Sequence, residues 1–136
     1  MLKRADYEAL AAFRHSLRRF LAFSEDNAKA VGLTPQQHQA LLSIKAGYEG
    51  RSTINVGELA GHLLIEKHSA AELVDRLEKA GLVKRGKSKI DRRVVMLTVT
   101  AKGERLLDAL SKDNLSELRM AAPIVTALVK RLPKGK

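Results

Sequence analysis

Residues 54–99 decide the fold, and their sequence is INVGELAGHLLIEKHSAAELVDRLEKAGLVKRGKSKIDRRVVMLTV. Asn55 can cap a short helix over residues 56–63, and Glu58 can reach back to the amide of Asn55. A second helix is predicted over residues 67–80, because four apolar residues recur there on one face. Those four residues are Ala70, Leu73, Val74 and Leu77. The opposite side is polar, with small residues near the start, which is the shape needed by a helix that enters a groove.

A hairpin follows the second helix. Leu82 and Val83 begin a strand, residues 84–93 form a charged loop, and the alternation over residues 95–99 predicts a returning antiparallel strand. The loop has six basic side chains and one acidic side chain, so it carries +5 of the net charge of +10. A polyanion-binding tip needs such a concentration, because each neutralised phosphate releases condensed counterions. The plainer alternative is a solvated loop of mixed charge.

The composition limits the class of protein. The chain has 136 residues, the size of one domain, and 45% of them are hydrophobic, which is enough for a core. The absence of cysteine excludes disulfides and thiolate catalysis. No apolar run could span a bilayer and no secretory signal is recognisable, so we expect a cytoplasmic protein. We find no nucleophile motif or phosphate-binding glycine loop, and we therefore predict neither an enzyme nor a cofactor.

Helices are predicted on both sides of this region. Residues 6–30 should form one long helix capped by Asp6, with an apolar seam that a small domain cannot cover alone. The motif Thr34-Pro35-Gln36-Gln37 begins the next helix. Thr100 can cap a last helix, which Pro123 should break or kink. The long seam predicts packing against another helix, such as one from a second subunit.

Six motifs along the chain share their order and spacing with a known family. They are Gly32-Leu33-Thr34-Pro35-Gln36-Gln37-His38, Val56-Gly57-Glu58-Leu59-Ala60, His68-Ser69-Ala70-Ala71-Glu72-Leu73-Val74-Asp75-Arg76-Leu77-Glu78, Gly81-Leu82-Val83, Asp91-Arg92-Arg93 and Leu97-Thr98-Val99-Thr100-Ala101-Lys102-Gly103. With them the sequence resembles the MarR family of bacterial winged helix-turn-helix transcriptional regulators. The resemblance implies a mainly α fold with a small two- or three-stranded antiparallel sheet, in a single domain over residues 1–136. Residues at about 1–33 and 101–136 would form the helical dimerisation region, and residues at about 34–100 the DNA-binding region.

The resemblance also implies the function. Members form homodimers whose end helices interlock and whose winged regions straddle a pseudo-palindromic operator in double-stranded DNA. Pro123 departs from the family pattern at this dimer seam. The implied function is sequence-specific transcriptional regulation, specifically as a ligand-responsive repressor. A small-molecule effector of unspecified identity would release the DNA by respacing the two recognition helices.

The predicted DNA contacts lie on the second helix and on the hairpin, which is the wing of such a domain. On the recognition helix, residues 67–80, they are His68, Ser69, Ala71, Glu72 and Arg76. Glu72 could accept from a cytosine amine, Ala71 could meet a thymine methyl, and Arg76 suits a phosphate or a nearby carboxylate. On the wing they are Lys87, Lys89, Arg92 and Arg93, for phosphates or the minor groove. Asp91 is expected to hold an arginine in place.

Two other groups of residues could form a phosphate site or a metal site. Thr34 and Gln36, at a helix start, could present amides to a phosphate, although we favour plain capping. The four histidines lie on separate predicted helices without a close-spaced pair, so surface or packing roles are favoured over zinc.

Two other functions fit the charge pattern. An architectural protein would coat nucleic acid through the same wing without a preferred sequence. An interaction module would have the fold but no DNA binding. Titrations of specific and scrambled duplexes at several salt concentrations separate these functions from a regulator.

Overall fold

The computed structural model describes residues 1–135, which contain six α-helices and one two-stranded antiparallel sheet. The helices are α1 (Arg4–Ala30), α2 (Pro35–Ala46), α3 (Val56–Leu63), α4 (Lys67–Lys79), α5 (Ala101–Arg119) and α6 (Ala122–Val129), and the strands are β1 (Val83–Lys87) and β2 (Val95–Val99). Ile54 adds one antiparallel bridge to Leu97, so the third strand of the sheet is reduced to a single residue pair. The predicted fold class is confirmed.

The chain divides into two compact units. The helical unit contains residues 1–27 and the residues from Leu110 onward, and the winged unit contains residues 28–109. The sequence predicts a change of role, from dimerisation to DNA binding, at about residues 33 and 101, and that division stays a prediction. Ala28, in the last turn of α1, and Leu107, in α5, are buried residues that belong to the winged unit. Among residues 1–135, no helix combines the length and the apolarity that crossing a bilayer requires.

The core of the winged unit is aliphatic. Its largest fully buried side chains come from α2, α3, α4, both strands and the segment before α3. They are Leu41, Ile44, Ile54, Leu59, Leu77, Leu97, Val74 and Val83. The predicted apolar stripe of α4 is buried throughout, and each of its leucine and valine side chains contributes about 1.5–3 kcal/mol. The core therefore holds α4 with its polar side in solvent.

Reciprocal capping fixes where α2 and α3 begin. The Thr34 hydroxyl accepts from the amide of Gln37 at 3.1 Å, and the Thr34 amide donates to the Gln37 side chain at 2.9 Å. Asn55 and Glu58 make the same pair of bonds at the start of α3. Both capping boxes follow from the local sequence alone, because the residues that bond are three apart.

The prediction for the long helices was wrong at the start of α1 and is confirmed at the end of α5. The predicted cap at Asp6 is wrong, because α1 begins at Arg4 and Asp6 lies in its first turn. From there the Asp6 carboxylate accepts from the amide of Lys3 at 2.8 Å, so it stabilises the helix start from inside. The predicted break at Pro123 is confirmed: α5 ends at Arg119, and the proline lies in the first turn of α6, where it interrupts no hydrogen bond.

Gly81 and Gly103 set the path of the chain from α4 into the sheet and on to α5. Gly81 follows α4 with φ of 75°, a conformation that favours glycine, and the chain turns there into β1. Gly103 lies in the first turn of α5, directly against the backbone of Leu82. A Cβ atom on Gly103 would lie 2.3 Å from the Leu82 carbonyl oxygen, so only glycine permits this approach.

Candidate nucleic-acid interface

The solvent side of α4 carries the residues predicted to contact bases. His68, Glu72 and Arg76 are exposed, and Ser69 and Ala71 are half-buried beside them. This placement follows from the apolar stripe, because burial of that face leaves the opposite residues in water. Arg76 makes no ion pair with a carboxylate among residues 1–135. Its charge is therefore available to a ligand.

The basic hairpin has a longer first strand and a shorter tip than predicted, while the second strand has the predicted bounds. Residues 84–87 were predicted as loop, but they form most of β1, and Lys84 pairs opposite Thr98. The tip consists of residues 88–94. The prediction failed because a ladder depends on backbone groups of the opposite strand, and exposed lysine or arginine side chains do not interrupt it.

Local hydrogen bonds fix the conformation of the tip. The Ser88 amide donates to the Val94 carbonyl oxygen at 2.9 Å, and the Val94 amide donates to the Asp91 carbonyl oxygen at 3.0 Å. The Ser88 hydroxyl accepts from the amides of Ile90 at 3.2 Å and Asp91 at 3.3 Å. The tip is thus organised by its own residues before any ligand binds.

Asp91 holds Arg93, as expected from the sequence. Its carboxylate accepts from the Arg93 side chain at 3.1 and 3.2 Å and from the Arg93 amide at 3.0 Å. The side-chain bonds first, and the amide bond second, hold the pKa of Asp91 below its usual value. Asp91 therefore stays ionised at neutral pH and fixes the direction of the Arg93 guanidinium.

Four other cations of the hairpin have no partner within residues 1–135. Their side chains are exposed and make no ion pair or hydrogen bond there. They are Lys84, Lys87, Lys89 and Arg92. Together with the exposed Arg93, they form the cationic surface of the wing. Free lysine and arginine groups on a rigid support are suited to bind phosphate oxygens.

Arg85 has a role that the sequence analysis missed. It had been counted among the loop cations, but its guanidinium donates to Asp75 at 2.7 Å and to Glu78 at 2.6 Å, both on α4. The hydrogen bond to Asp75, more than any other contact, raises the pKa of Arg85. Arg85 thus ties β1 to the recognition helix and offsets two carboxylates there. Its spacing from buried Val83 was the available signal, since residues two apart in a strand share a face.

Arg51 is a second residue that the sequence did not single out. Its guanidinium bonds to the Glu58 carboxylate, to the Tyr48 carbonyl oxygen at 3.3 Å and to the Met96 sulfur at 3.8 Å. It therefore joins the hairpin of residues 48–51, the start of α3 and β2. No local pattern could have shown this, because the partners come from three separate segments.

The weaker predicted sites are positioned as follows. Thr34 uses both its amide and its hydroxyl in bonds to Gln37, while Gln36 is exposed. His38 is buried, and burial lowers its pKa, so it stays neutral near pH 7. Residues 1–135 contain no group of three or more side chains suited to hold a metal ion.

Comparison with known proteins gives consistent matches. A family model described as MarR family matches residues 31–94. The chain is 29% identical over 116 residues to the uncharacterized HTH-type transcriptional regulator YsmB of Bacillus subtilis, covering 82% of this chain and 77% of that protein. It is 36% identical over 102 residues to the uncharacterized HTH-type transcriptional regulator YcgE of the same bacterium, covering 74% and 63%.

The fold comparison agrees with the sequence comparison. The solved structure of a MarR family protein from Bacillus stearothermophilus matches with a TM-score of 0.74 and 26% identity, covering 87% of this chain and 79% of that one. Members of this family are transcriptional regulators and not enzymes, so the non-enzymatic prediction is confirmed. The resemblance drawn from the six motifs is confirmed as well: over most of its length the chain is similar to transcriptional regulators of the MarR family.

Proposed function

We propose that the protein is a homodimeric, sequence-specific repressor that binds a pseudo-palindromic operator in the cytoplasm. The observation that carries this proposal is the link through Arg85 between a polar recognition helix and a preformed basic wing. The wing would bind phosphates and set the register, while α4 would read base edges in the major groove. Because Arg85 bonds to α4, the two contacts are made by one rigid surface.

Individual residues of α4 have distinct expected partners. Glu72 can accept from the amine of cytosine, and Ala71 can meet the methyl group of thymine. His68 and Ser69, in the first turn, can donate to or accept from base edges. Arg76 lacks a carboxylate partner among the described residues, which favours a phosphate contact for it.

The partner proposed for the helical unit is a second copy of the chain. In α1, Leu10, Leu17 and Leu21 are 48%, 45% and 43% exposed, at spacings of seven and four that place them on one face. In α5, Leu115 and Leu118 are exposed as well. Such apolar stripes mark interfaces in soluble proteins. A molar mass of two chains in light scattering is expected, and Leu17→Lys should reduce it to one chain.

The effector rests on the family resemblance alone. Within the helical unit, a cavity of about 100 Å³ is lined by residues that include His15, Arg19 and Glu117. Sites for small molecules usually measure roughly 300–1,000 Å³, so that cavity does not accommodate a drug-sized effector. An effector that releases DNA must bind the DNA-incompetent spacing of the dimer more tightly than the DNA-bound form.

Selection of bound duplexes from a random pool tests the proposal. We expect one enriched two-fold sequence whose half-sites lie about one helical turn apart. Retention of the pool without enrichment would instead support the architectural alternative. Absence of any retained duplex at low salt would support an interaction module.

A further inference from the structure

The apex of the wing carries one large apolar side chain in the middle of a cationic surface. Ile90 is 95% exposed, and its neighbours along the tip include Lys89, Arg92 and Arg93. A single exposed apolar residue is common on protein surfaces, so exposure alone would assign nothing. The conformation of the tip and the charges around it indicate what Ile90 would contact.

The tip holds Ile90 outward. The amide of Ile90 donates to the Ser88 hydroxyl, and the flanking turn is closed by the bonds between Ser88, Asp91 and Val94. Isoleucine is branched at Cβ and has few rotamers, so ordering it in a complex costs little entropy. The side chain is therefore presented in a defined direction without a partner to cover it.

The cations around Ile90 indicate which kind of surface Ile90 would contact. Lys87, Lys89 and Arg92 are free to bind phosphates, and a minor groove is bordered by phosphates on both sides. That groove is about 6 Å wide, which admits a side chain from a hairpin tip. Isoleucine cannot pair with the hydrogen-bond acceptors on the groove floor. It can cover sugar and base-edge carbon atoms, and such side chains can wedge between base pairs.

We propose that Ile90 enters the minor groove beside each half-site and wedges against a pyrimidine–purine step. This inference rests on the proposed function, because it requires a specific duplex. Such steps unstack and kink more readily than others, so the wedge favours them without a hydrogen bond to any base. Ile90 is thus a specificity-determining residue that acts on the flank, whereas α4 acts on the half-site.

The test compares the whole protein with Ile90→Ala on the selected duplex, carrying TA or AA at the flanking step. The native protein should prefer TA. Ile90→Ala should bind the TA duplex about 10-fold more weakly per half-site, the loss expected for one buried apolar side chain, and should bind both duplexes alike. The salt slope, which is the slope of log affinity against log salt concentration, should equal that of the native protein, because no phosphate contact is removed. Fluorescence of 2-aminopurine at the step should rise with the native protein only, since unstacking relieves quenching.

Two further variants separate the wedge from general effects. Val95→Ala removes apolar atoms from the same hairpin below the tip and should keep both the affinity and the TA preference. Ile90→Lys adds a cation, so it should bind both duplexes with a steeper salt slope and should lose the preference. All three variants should retain the native melting temperature, because neither Ile90 nor Val95 is buried.

The outcomes distinguish this inference from the proposed function. Specific binding by the native protein, with Ile90→Ala unchanged in affinity and flank preference, would overturn the wedge and leave the regulator intact. A native protein without any preferred duplex would overturn both.

Discussion

Replacing Arg85 with methionine should weaken both the fold and DNA binding, and by different amounts. Methionine keeps most of the apolar stem but removes the bonds to Asp75 and Glu78. The three side chains are 32%, 56% and 42% exposed, so solvent screens the pairs. Two such partly exposed pairs contribute about 1 kcal/mol in total. We expect urea unfolding, followed by circular dichroism at equal protein concentration, to show that loss.

The loss in DNA affinity has an electrostatic origin. Without Arg85, the net charge of its cluster with Asp75 and Glu78 changes from −1 to −2. One added negative charge at about 10 Å from a phosphate costs about 0.4 kcal/mol in water. For two phosphates at that distance, affinity should fall about fourfold, and the loss should shrink at high salt.

A double-mutant cycle gives the decisive comparison. Arg85→Met and Asp75→Asn should be less destabilising together than the sum of the two alone, by about 0.5 kcal/mol. Lys84→Met, beside Arg85 and without a partner in the described residues, is the matched control and should leave stability unchanged. Additive effects of the first two substitutions would refute the claim that the bond between Arg85 and Asp75 stabilises the fold.

Four other substitutions test the fold and the assigned roles of single residues. Gly103→Ala should destabilise the fold by about 1–3 kcal/mol in urea unfolding, because its Cβ would overlap the backbone of Leu82; Gly86→Ala, in open space, is the control. His38→Gln should reduce the loss of stability between pH 7.5 and 5 relative to the native protein. The reason is that burial lowers the pKa of His38 in the folded protein. The stability contributed by the neutral imidazole is therefore complete above pH 6.5, the pKa in the unfolded chain, and is lost as the pH falls toward the folded pKa. Equal pH profiles of the variant and the native protein would contradict this. Arg92→Ala should lower the salt slope by about 1 per site on every duplex, whereas Glu72→Ala should change the preferred sequence in a repeated selection; the reverse pattern would exchange their assigned roles.

Local periodicity and capping explain which parts of the fold the sequence could predict. The buried stripe of α4 recurs at helical spacing, and the boxes at Thr34 and Asn55 involve residues three apart. The solvent placement of His68 and Glu72 follows directly from that stripe. Asp91 and Arg93 are two residues apart, so their pairing could also be predicted from the sequence.

The parts that could not be predicted depend on contacts between distant segments. The length of β1 is set by its pairing with β2, and polar residues over 84–87 concealed it. Arg85 was counted only in the charge of the predicted loop, because its charge is visible in sequence, whereas its partners on α4 are seven and ten residues away. The excess of +5 in the hairpin therefore overstated the charge that is free to bind DNA.

The central claim is that the cations of the wing bind any duplex while α4 selects the sequence of the half-site. The most direct measurement is the ratio of affinities for the selected and the scrambled duplex at about 50 and 200 mM salt. We predict that both affinities fall with salt while the ratio stays at about 10³ or more. A ratio near one at both salt concentrations would contradict the account.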